Sequence, residues 1–266
     1  MRNISNAELL RLADLNRTEF WCESARCVPG TEIAEQQDTV FINSSIDFPA
    51  YNFAFNMALD LAEHPSDFLN RIKAFFAGRK RMFSLLLRSH CDQAIIEHCK
   101  DNKILFLHEA PGMVLDEPIK GKPLPPGAEL RWVQDERGVV DFKHVAAEAF
   151  HDLGFPVEAT ESYFADAKRV ISQYTILAVI YLKGEPVATA HALFSNGIAG
   201  IYWVATVKKA RGMGLAEYCT REVGNAAFDS GAWKVILQAS KFGEPIYRKM
   251  GYREICRYPW FICVSK

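Results

Sequence analysis

Two glycines follow a charged residue in the stretch Arg211-Gly212-Met213-Gly214-Leu215-Ala216. The apolar run before it, over 198–207, is typical of a buried strand, and apolar residues at helical spacing follow from Leu215 onward. The pattern predicts a strand that enters a helix through a tight turn, so that backbone N–H groups and the positive end of the helix dipole meet at one place. Because glycines let phosphates approach the backbone, the chemistry indicated is anion binding, and a diphosphate fits best.

Other interpretations of this stretch remain open on the loop alone. A glycine-rich turn between a strand and a helix is often only a turn. The third glycine of a dinucleotide fingerprint is missing, and so is the Gly-Lys-Ser/Thr ending of a P-loop. Arg211 adds a positive charge beside the loop, with a solvated surface charge as the alternative. Lys208 and Lys209 are expected either to be solvated or to meet a ribose phosphate.

A second strand and a short helix are predicted downstream of the loop. Trp233–Ala239 is the strand candidate, and the helix follows in the sequence SKFGEPIYRKMGYREI. Pro245 suits the first helical turn, and Gly251 suits the cap at the carboxyl end. The helix carries Tyr247, and a closing strand is predicted over 252–264.

Taken in order, these features resemble the GNAT superfamily of acyl-CoA N-acyltransferases. The stretch from Arg211 to Ala216 is similar to the family's pyrophosphate loop, Arg/Gln-x-x-Gly-x-Gly/Ala, and the splayed strand, tyrosine helix and Gly-aromatic pair follow at family spacing. The resemblance covers roughly 128–266. It implies an α/β (α+β) protein with a mixed, mostly antiparallel central sheet flanked by helices. It also implies acetyl-CoA as co-substrate and no metal.

The resemblance further implies a role for each matching residue. Loop amides hold the diphosphate, and the main chain at Val204-Ala205-Thr206 pairs with the pantetheine arm like an added strand. A backbone N–H of that strand steadies the thioester oxygen. Tyr247 protonates the departing thiolate, with a plain core aromatic as the alternative, and Ser240 lies near the cofactor, with a helix cap as the alternative. The implied cofactor-binding residues are Val204, Ala205, Thr206, Arg211, Gly212, Met213, Gly214, Leu215, Ala216, Glu217 and Ser240.

The base that removes the amine proton cannot be identified from the sequence. Each candidate is also a typical surface or core residue, and a bound water is a further alternative. The candidates are His144, Glu148, His151, Glu158 and His191.

The elements before the loop also follow the family order. A first strand and two helices precede an antiparallel meander, and Asn196-Gly197 marks a hairpin turn within it. In the family these two helices carry much of the acceptor specificity. The predicted ranges are strand 130–134, a helix from 141 to near 154, a helix over 158–170, and strands 174–182, 187–194 and 198–207.

The N-terminal half repeats the order of the second half, which predicts a duplicated fold with a degenerate first copy. In place of the glycine loop this copy has Ala62-Glu63-His64-Pro65-Ser66, which should not hold a diphosphate. An unrelated α/β domain is the alternative. The predicted elements are helix 7–27 and strand 39–43, then strand 52–59, helix 66–78, strand 82–87, helix 91–100 and strand 104–108.

Composition sets further limits. The net charge of −1 argues against an electrostatic nucleic-acid binder. Seven cysteines without a CxxC favour buried, reduced thiols. Ser5-Asn6-Ala7-Glu8 reads as a capping box where a signal peptide would carry an apolar core, and no apolar run is long enough for a membrane span. We therefore expect a cytoplasmic protein without membrane or nucleic-acid partners.

The sequence thus predicts a degenerate GNAT-like domain over 1–117, a Pro- and Gly-rich linker over 118–128, and an acyl-CoA-binding domain over 129–266. The expected activity is transfer of an acetyl group from acetyl-CoA to a primary amine of a small molecule or amino acid. A non-catalytic acyl-CoA sensor and a tandem-GNAT aminoacyl transferase are the alternatives. A homodimer is compatible with the sequence.

Overall fold

Residues 4–264 are described by a computed structural model and divide into two units. The first unit comprises the described residues up to Val28 together with Met113–Arg253. The second comprises Pro29–Gly112 together with the described residues from Glu254 onward. Residues 1–3 of the predicted range 1–117 and residues 265–266 of the predicted range 129–266 lie outside the described part of the chain.

Helices and strands alternate along most of the chain. In order they are α1 (Asn6–Arg26), β1 (Glu32–Gln36), β2 (Thr39–Asn43), β3 (Phe53–Asn56), α2 (Pro65–Ala77), β4 (Phe83–Leu86), α3 (Gln93–Asp101), β5 (Leu105–Leu115), β6 (Ala128–Trp132), α4 (Glu136–His151), α5 (Val157–Ser162), α6 (Ala167–Val170), β7 (Thr175–Leu182), β8 (Glu185–Ser195), β9 (Ile198–Thr206), α7 (Leu215–Asp229), β10 (Val235–Gln238), α8 (Glu244–Lys249) and β11 (Arg253–Cys263).

The first unit is built on strands in the order β10-β9-β8-β7-β6. All of these pairs are antiparallel except β9 with β10, which is parallel. Along β8 the alanines at 188, 190 and 192 join the apolar core that contains Cys219 and Val223 of α7. Since side chains alternate along a strand, His191 and Leu193 face the opposite side of the sheet.

That opposite side is covered by α1. Asn16 donates from Nδ2 to the Leu193 carbonyl at 3.1 Å, and its Oδ1 accepts from the Tyr202 hydroxyl at 2.7 Å. Phe20 stacks on Tyr202 with ring centroids 3.6 Å apart. A Cβ on Gly200 would lie 2.0 Å from Asn16 Oδ1, so a glycine is required for this close approach. The first helix therefore packs with the C-terminal half of the chain.

The second unit has strands in the order β1-β2-β3-β4-β11. These pairs are antiparallel except β3 with β4, which is parallel. Its core is rich in phenylalanine, and Phe76 and Phe83 stack 4.3 Å apart. Trp260 of β11 pairs with Leu86 of β4, so the closing strand belongs mainly to this unit. The units thus differ from the predicted ranges 1–117 and 129–266 at both ends of the chain. α1 belongs to the first unit with most of the C-terminal half, and most of β11 belongs to the second unit with the N-terminal strands.

Two predicted helix boundaries are corrected by the structure. The helix predicted to open at Asp141 begins at Glu136, because Asp135 is the cap and accepts from Gly138 N at 2.8 Å. Asp141 instead accepts a hydrogen bond of 2.7 Å from the Tyr181 hydroxyl. The helix predicted over 158–170 is two helices, α5 and α6, because Asp166 caps a new start.

The Pro- and Gly-rich segment before β6 contains no helix or strand between 116 and 127, and it is bound to α7. Asn225 makes paired hydrogen bonds with the Ile119 backbone, at 3.0 and 2.9 Å. Arg221 donates to the Lys122 carbonyl at 2.8 Å. These contacts tie the segment to the first unit.

The predicted repetition of element order is present in the structure. The series β3-α2-β4-α3-β5 matches β9-α7-β10-α8-β11, and each series starts from a parallel strand pair. β1 was not predicted. None of the seven cysteines, which all lie within the described residues, forms a disulfide. Between residues 4 and 264 no helix has the length and apolar character needed to cross a membrane.

Candidate functional site

The amino end of α7 is open. Gly214 occupies the N-cap position with φ of 76°, and no side chain caps the helix. Gly212 has φ of 81°, and apart from the adjoining residues no described heavy atom lies within 4 Å of where a Cβ would be at either glycine. The N–H groups of the first helical turn have no acceptor within the helix. The predicted loop is therefore a cradle of backbone donors at the positive end of a helix dipole.

The corresponding end of α2, in the second unit, is closed. His64 is its N-cap, and the His64 Nδ1 accepts from Ser66 N at 3.3 Å. Pro65 occupies the first helical position and offers no N–H at all. The start of α2 therefore lacks the open cradle of backbone donors found at α7.

The charged residues around the α7 cradle are already engaged with protein groups. Arg211 donates from Nε to the Thr206 carbonyl at 3.1 Å and from Nη2 to Asp152 at 2.7 Å. Lys209 forms an ion pair with Glu185. The predicted role of Arg211 beside a phosphate would therefore require its ion pair with Asp152 to open or to be shared.

The other predicted loop residues differ in their exposure to solvent. Leu215 anchors α7 in the core at 1% exposure, whereas Met213 is 41% exposed. Glu217 is exposed in the first turn of α7, and Ala216 is half-buried.

The strand that leads into the loop separates from its neighbour, as the resemblance implied. The ladder between β9 and β10 ends at the pair Ile201 and Leu237. Beyond it, the stretch from Tyr202 to Thr206 continues without a β10 partner on that side. The Thr206 hydroxyl is buried and has no hydrogen-bond partner in the described part of the chain. An extended ligand with amide groups fits this edge, because it can pair with the main chain of Val204 and Ala205. At Thr206 the carbonyl is already occupied by Arg211 Nε, so pairing there requires that hydrogen bond to open.

A bulge marks the point of separation. The register between β8 and β9 shifts between Thr189 and His191. Opposite this shift Trp203 has a left-handed backbone with φ of 49°, which is unusual for a bulky residue. The bulge turns the main chain of β9 where the resemblance places the thioester.

Tyr247 of α8 is 8% exposed. Burial raises its pKa to about 12, with the Thr220 side chain opposing the shift. A Cβ on Gly243 would lie 2.7 Å from the Tyr247 ring, so the start of α8 packs directly on this side chain. The phenol is therefore protonated at neutral pH and can donate a hydrogen bond.

Ser240 lies in the turn that leads into this helix, three residues before its N-cap, Gly243. Its Oγ accepts from Gly243 N at 3.1 Å, and its carbonyl accepts from Glu244 N at 2.9 Å. The side chain therefore stabilises the turn before α8.

A cavity of about 530 Å³ lies between α1, the segment that follows α5, α6 and the face of β8 and β9 that is turned away from α7. Its walls include Phe20, Tyr163, Phe164 and Trp203. His191 also lines it, at 9% exposure, and burial lowers its pKa to about 3. Sequence reasoning missed this cavity, because α1 precedes β8 by more than 150 residues and no local signal links them.

Of the proposed bases, His191 alone lines this cavity. The other four, His144, Glu148, His151 and Glu158, lie exposed on α4 and α5 or at their ends. His144 and Glu148 face each other at 3.9 Å on the outer surface of α4. In the described residues no group of three or more His, Cys, Asp and Glu side chains could hold a metal ion.

Solved structures share this architecture over nearly the whole chain. A GCN5-related N-acetyltransferase from Kribbella flavida superposes with a TM-score of 0.71 at 17% identity, covering 94% of this chain and 95% of that chain. One from Sphaerobacter thermophilus gives 0.65 at 16% identity, covering 100% and 95%. A tandem GNAT protein from the clavulanic acid biosynthesis pathway gives 0.62 at 10% identity, covering 90% and 85%.

These similarities show that the chain has the GNAT fold, as predicted. They extend through the second unit, and one of the similar proteins is a tandem GNAT protein. No protein-family model matches the sequence, and no curated protein matches it significantly.

Proposed function

We propose that the protein is an N-acetyltransferase that moves the acetyl group of acetyl-CoA to a primary amine by direct attack on the thioester. The observation that carries the proposal is the uncapped, glycine-lined amino end of α7 beside the point where β9 and β10 separate. The two features occur together and in the order that binding of a diphosphate and a pantetheine arm requires.

Each part of the co-substrate would be held by a different element. The amides from Gly212 to Glu217 would bind the diphosphate, and the main chain from Val204 to Thr206 would pair with the pantetheine amides. The Thr206 carbonyl would first be released by Arg211. The unpartnered Thr206 hydroxyl offers one further hydrogen bond at this edge. Ser240 would approach the cofactor through its backbone, since its hydroxyl accepts from Gly243 N in the turn before α8.

The reaction needs little covalent help from the protein. The amine nitrogen attacks the carbonyl carbon, the carbon–sulfur bond breaks, and the amine loses a proton to water. A backbone N–H of the segment from Val204 to Thr206 would stabilise the negative charge on the thioester oxygen.

Tyr247 would donate a hydrogen bond to the departing sulfur. Because its pKa is near 12 and that of a thiol such as cysteine is about 8.5, the phenol stabilises the thiolate without giving up its proton fully. Water then supplies the proton that completes the free thiol.

The acceptor proposed here is a small metabolite or amino acid. The near-neutral net charge offers no general attraction for a nucleic acid, which weighs against the aminoacyl transferase alternative. A cytoplasmic location and a homodimer also remain predictions.

Thiol release tests the proposal directly. The full-length chain is incubated with acetyl-CoA and a panel of primary amines, and free thiol is measured against amine-free controls. Amine-dependent release supports the transferase. Tight binding of acetyl-CoA without release under any amine would favour the non-catalytic sensor instead.

A further inference from the structure

The cavity beneath α1 has an apolar interior. Phe20, Tyr163 and Phe164 are each at most 5% exposed, and their rings form its inner walls. The Trp203 ring lies 5.2 Å from Phe164 and 5.7 Å from Tyr163. A volume of about 530 Å³ is within the range of small-molecule sites.

His191 is a polar group in this interior. Neither of its ring nitrogens has a hydrogen-bond partner among residues 4–264. The ring centre of Phe20 lies 6.0 Å away. Burying an imidazole that makes no hydrogen bond costs free energy. A ligand that supplies a hydrogen bond to this ring removes that cost, and its binding is stabilised accordingly.

Charged residues lie at the mouth of the cavity, and they pair mainly with one another. Arg169 reaches Glu23 at 3.2 Å. Glu23 also pairs with Arg26, which in turn reaches Glu19 at 3.3 Å. Asp166 caps α6 by accepting from Arg169 N. Lys168 also lines the cavity and has no ion pair within residues 4–264, so the mouth offers one cation, whereas the interior favours an apolar body.

The cavity also adjoins the proposed acyl site. His191 pairs with Tyr202 in the register of β8 and β9, directly before the bulge at Trp203. Trp203 lines the cavity and immediately precedes the free strand edge at Val204. A nitrogen held at His191 is therefore near the point where β9 would present the thioester.

We propose that this cavity is the acceptor site and that it takes a primary amine carried on an aromatic or branched aliphatic body. The amine nitrogen donates a hydrogen bond to a ring nitrogen of His191, and the body packs between Phe20 and Tyr163. Because the buried ring stays neutral at pH 7, it receives a hydrogen bond from the amine and does not repel it. This assignment rests on the proposed acetyltransferase activity.

The first test uses the wild-type chain. Thiol release is followed at saturating acetyl-CoA with 2-phenylethylamine and with glycinamide, which carries a primary amine on a small polar body. We expect kcat/KM to be at least about tenfold higher for 2-phenylethylamine, because an apolar body gains its burial energy in the cavity. Equal or reversed values would overturn the assignment.

The second test separates recognition from structure. His191→Leu is expected to raise the KM for 2-phenylethylamine about five- to tenfold, the loss of one hydrogen bond, while the Kd for acetyl-CoA is unchanged. His191→Asn should restore part of the loss, because its amide oxygen accepts a hydrogen bond. His98→Leu, on α3 of the second unit, is the matched control and should behave as wild type. An unchanged KM in His191→Leu would overturn the assignment.

Two further outcomes are distinguishable. If octanoyl-CoA binds more than about tenfold tighter than acetyl-CoA and excludes 2-phenylethylamine, the cavity holds an acyl chain and the assignment is wrong, although the transferase proposal stands. If calorimetry detects no acetyl-CoA binding, the proposed function fails, and the acceptor assignment fails with it.

Discussion

At the scale of single residues, the account depends on two buried side chains that sequence reasoning named without knowing their surroundings. Tyr247 and His191 both lie inside the first unit. Burial raises the pKa of Tyr247 and lowers the pKa of His191, so both side chains are neutral at pH 7. A neutral phenol and a neutral imidazole can exchange hydrogen bonds with a substrate at pH 7 without taking up or losing a proton. The chemistry is therefore one of stabilisation by hydrogen bonds.

Tyr247→Phe removes the hydrogen bond to the departing sulfur. We expect turnover to fall roughly a hundredfold while the Kd for acetyl-CoA stays the same, because the contact forms only as the thiolate develops. Steady-state thiol release and calorimetry measure the two quantities. Tyr252→Phe is the matched control, since its buried hydroxyl has no hydrogen-bond partner in the described chain and its ring lies 5.7 Å from that of Tyr247. Equal turnover in Tyr247→Phe and wild type would exclude Tyr247 as the donor.

His191→Leu should make the chain more stable. The free energy of unfolding at neutral pH is expected to rise by about 1 kcal/mol, because an unpartnered buried polar ring is replaced by an apolar side chain. The folded pKa of about 3 lies below the reference value of 6.5, so the unfolded chain binds the proton first as the pH falls. The free energy of unfolding of the wild type therefore falls as the pH drops below about 6.5. His191→Leu has no imidazole at this position, so its free energy of unfolding does not fall for this reason.

Urea unfolding of both chains at about pH 7 and about pH 5 measures this difference. The gap between variant and wild type should widen on the order of 1–2 kcal/mol at the lower pH. A variant that is less stable at neutral pH, or a gap that does not depend on pH, would show that His191 is satisfied in the fold.

At the scale of elements, the central contrast is between the two helix starts that occupy the same place in the repeat. α7 begins at a left-handed glycine without a cap, whereas α2 begins at His64 and Pro65. The sequence predicted a glycine loop before α7 and none before α2, because glycine spacing is a local signal. It did not predict the His64 cap, since α2 was expected to begin at Ser66. Local signals also predicted most strands of the first unit to within one or two residues.

Longer-range features could not be predicted in this way. The start of α4 was placed five residues late because Asp141 looks like a cap, although its carboxylate instead accepts from Tyr181 on a strand that lies 40 residues further on. β1 was missed because its residues are mostly polar and exposed. The cavity was missed because it needs α1 against β8 and β9, a contact that no short pattern encodes.

Gly214→Glu tests the element that binds the diphosphate. A carboxylate at this N-cap would occupy the cradle and repel phosphates, and we expect acetyl-CoA affinity to fall at least about a hundredfold. Gly214→Ala controls for the cost of a side chain at positive φ without added charge. Gly154→Glu adds the same charge at another open glycine with φ of 90°. If Gly214→Glu binds as well as either control, the cradle is not the phosphate site.

At the scale of the whole molecule, the two units do not follow the order of the chain. α1 comes from the N-terminal end but packs on β8 and β9, and β11 comes from the C-terminal end but pairs with β4. The duplicated element order is real, and yet each unit needs a segment from the other half of the sequence. This arrangement explains why a division drawn from linkers alone placed the terminal elements differently.

A fragment limited to 129–266 should therefore fold poorly. It lacks α1, so it would expose Leu193 and Tyr202, which are 3% and 8% exposed in the full chain. It also lacks the β5 residues at 113–115 that are buried in the first unit. Circular dichroism with thermal melting is expected to show no cooperative transition. A fragment that melts cooperatively at the temperature of the full chain would contradict the division into units described above.

The most direct measurement is calorimetric titration of the full chain with acetyl-CoA, compared with S-acetylpantetheine, which lacks the diphosphate. The account predicts one acetyl-CoA per chain, because the open amino end of α7 has a closed counterpart at α2. S-acetylpantetheine should bind at least about a hundredfold more weakly, since it cannot fill the cradle. Absence of acetyl-CoA binding, equal affinity of the two compounds, or two equivalents per chain would contradict it.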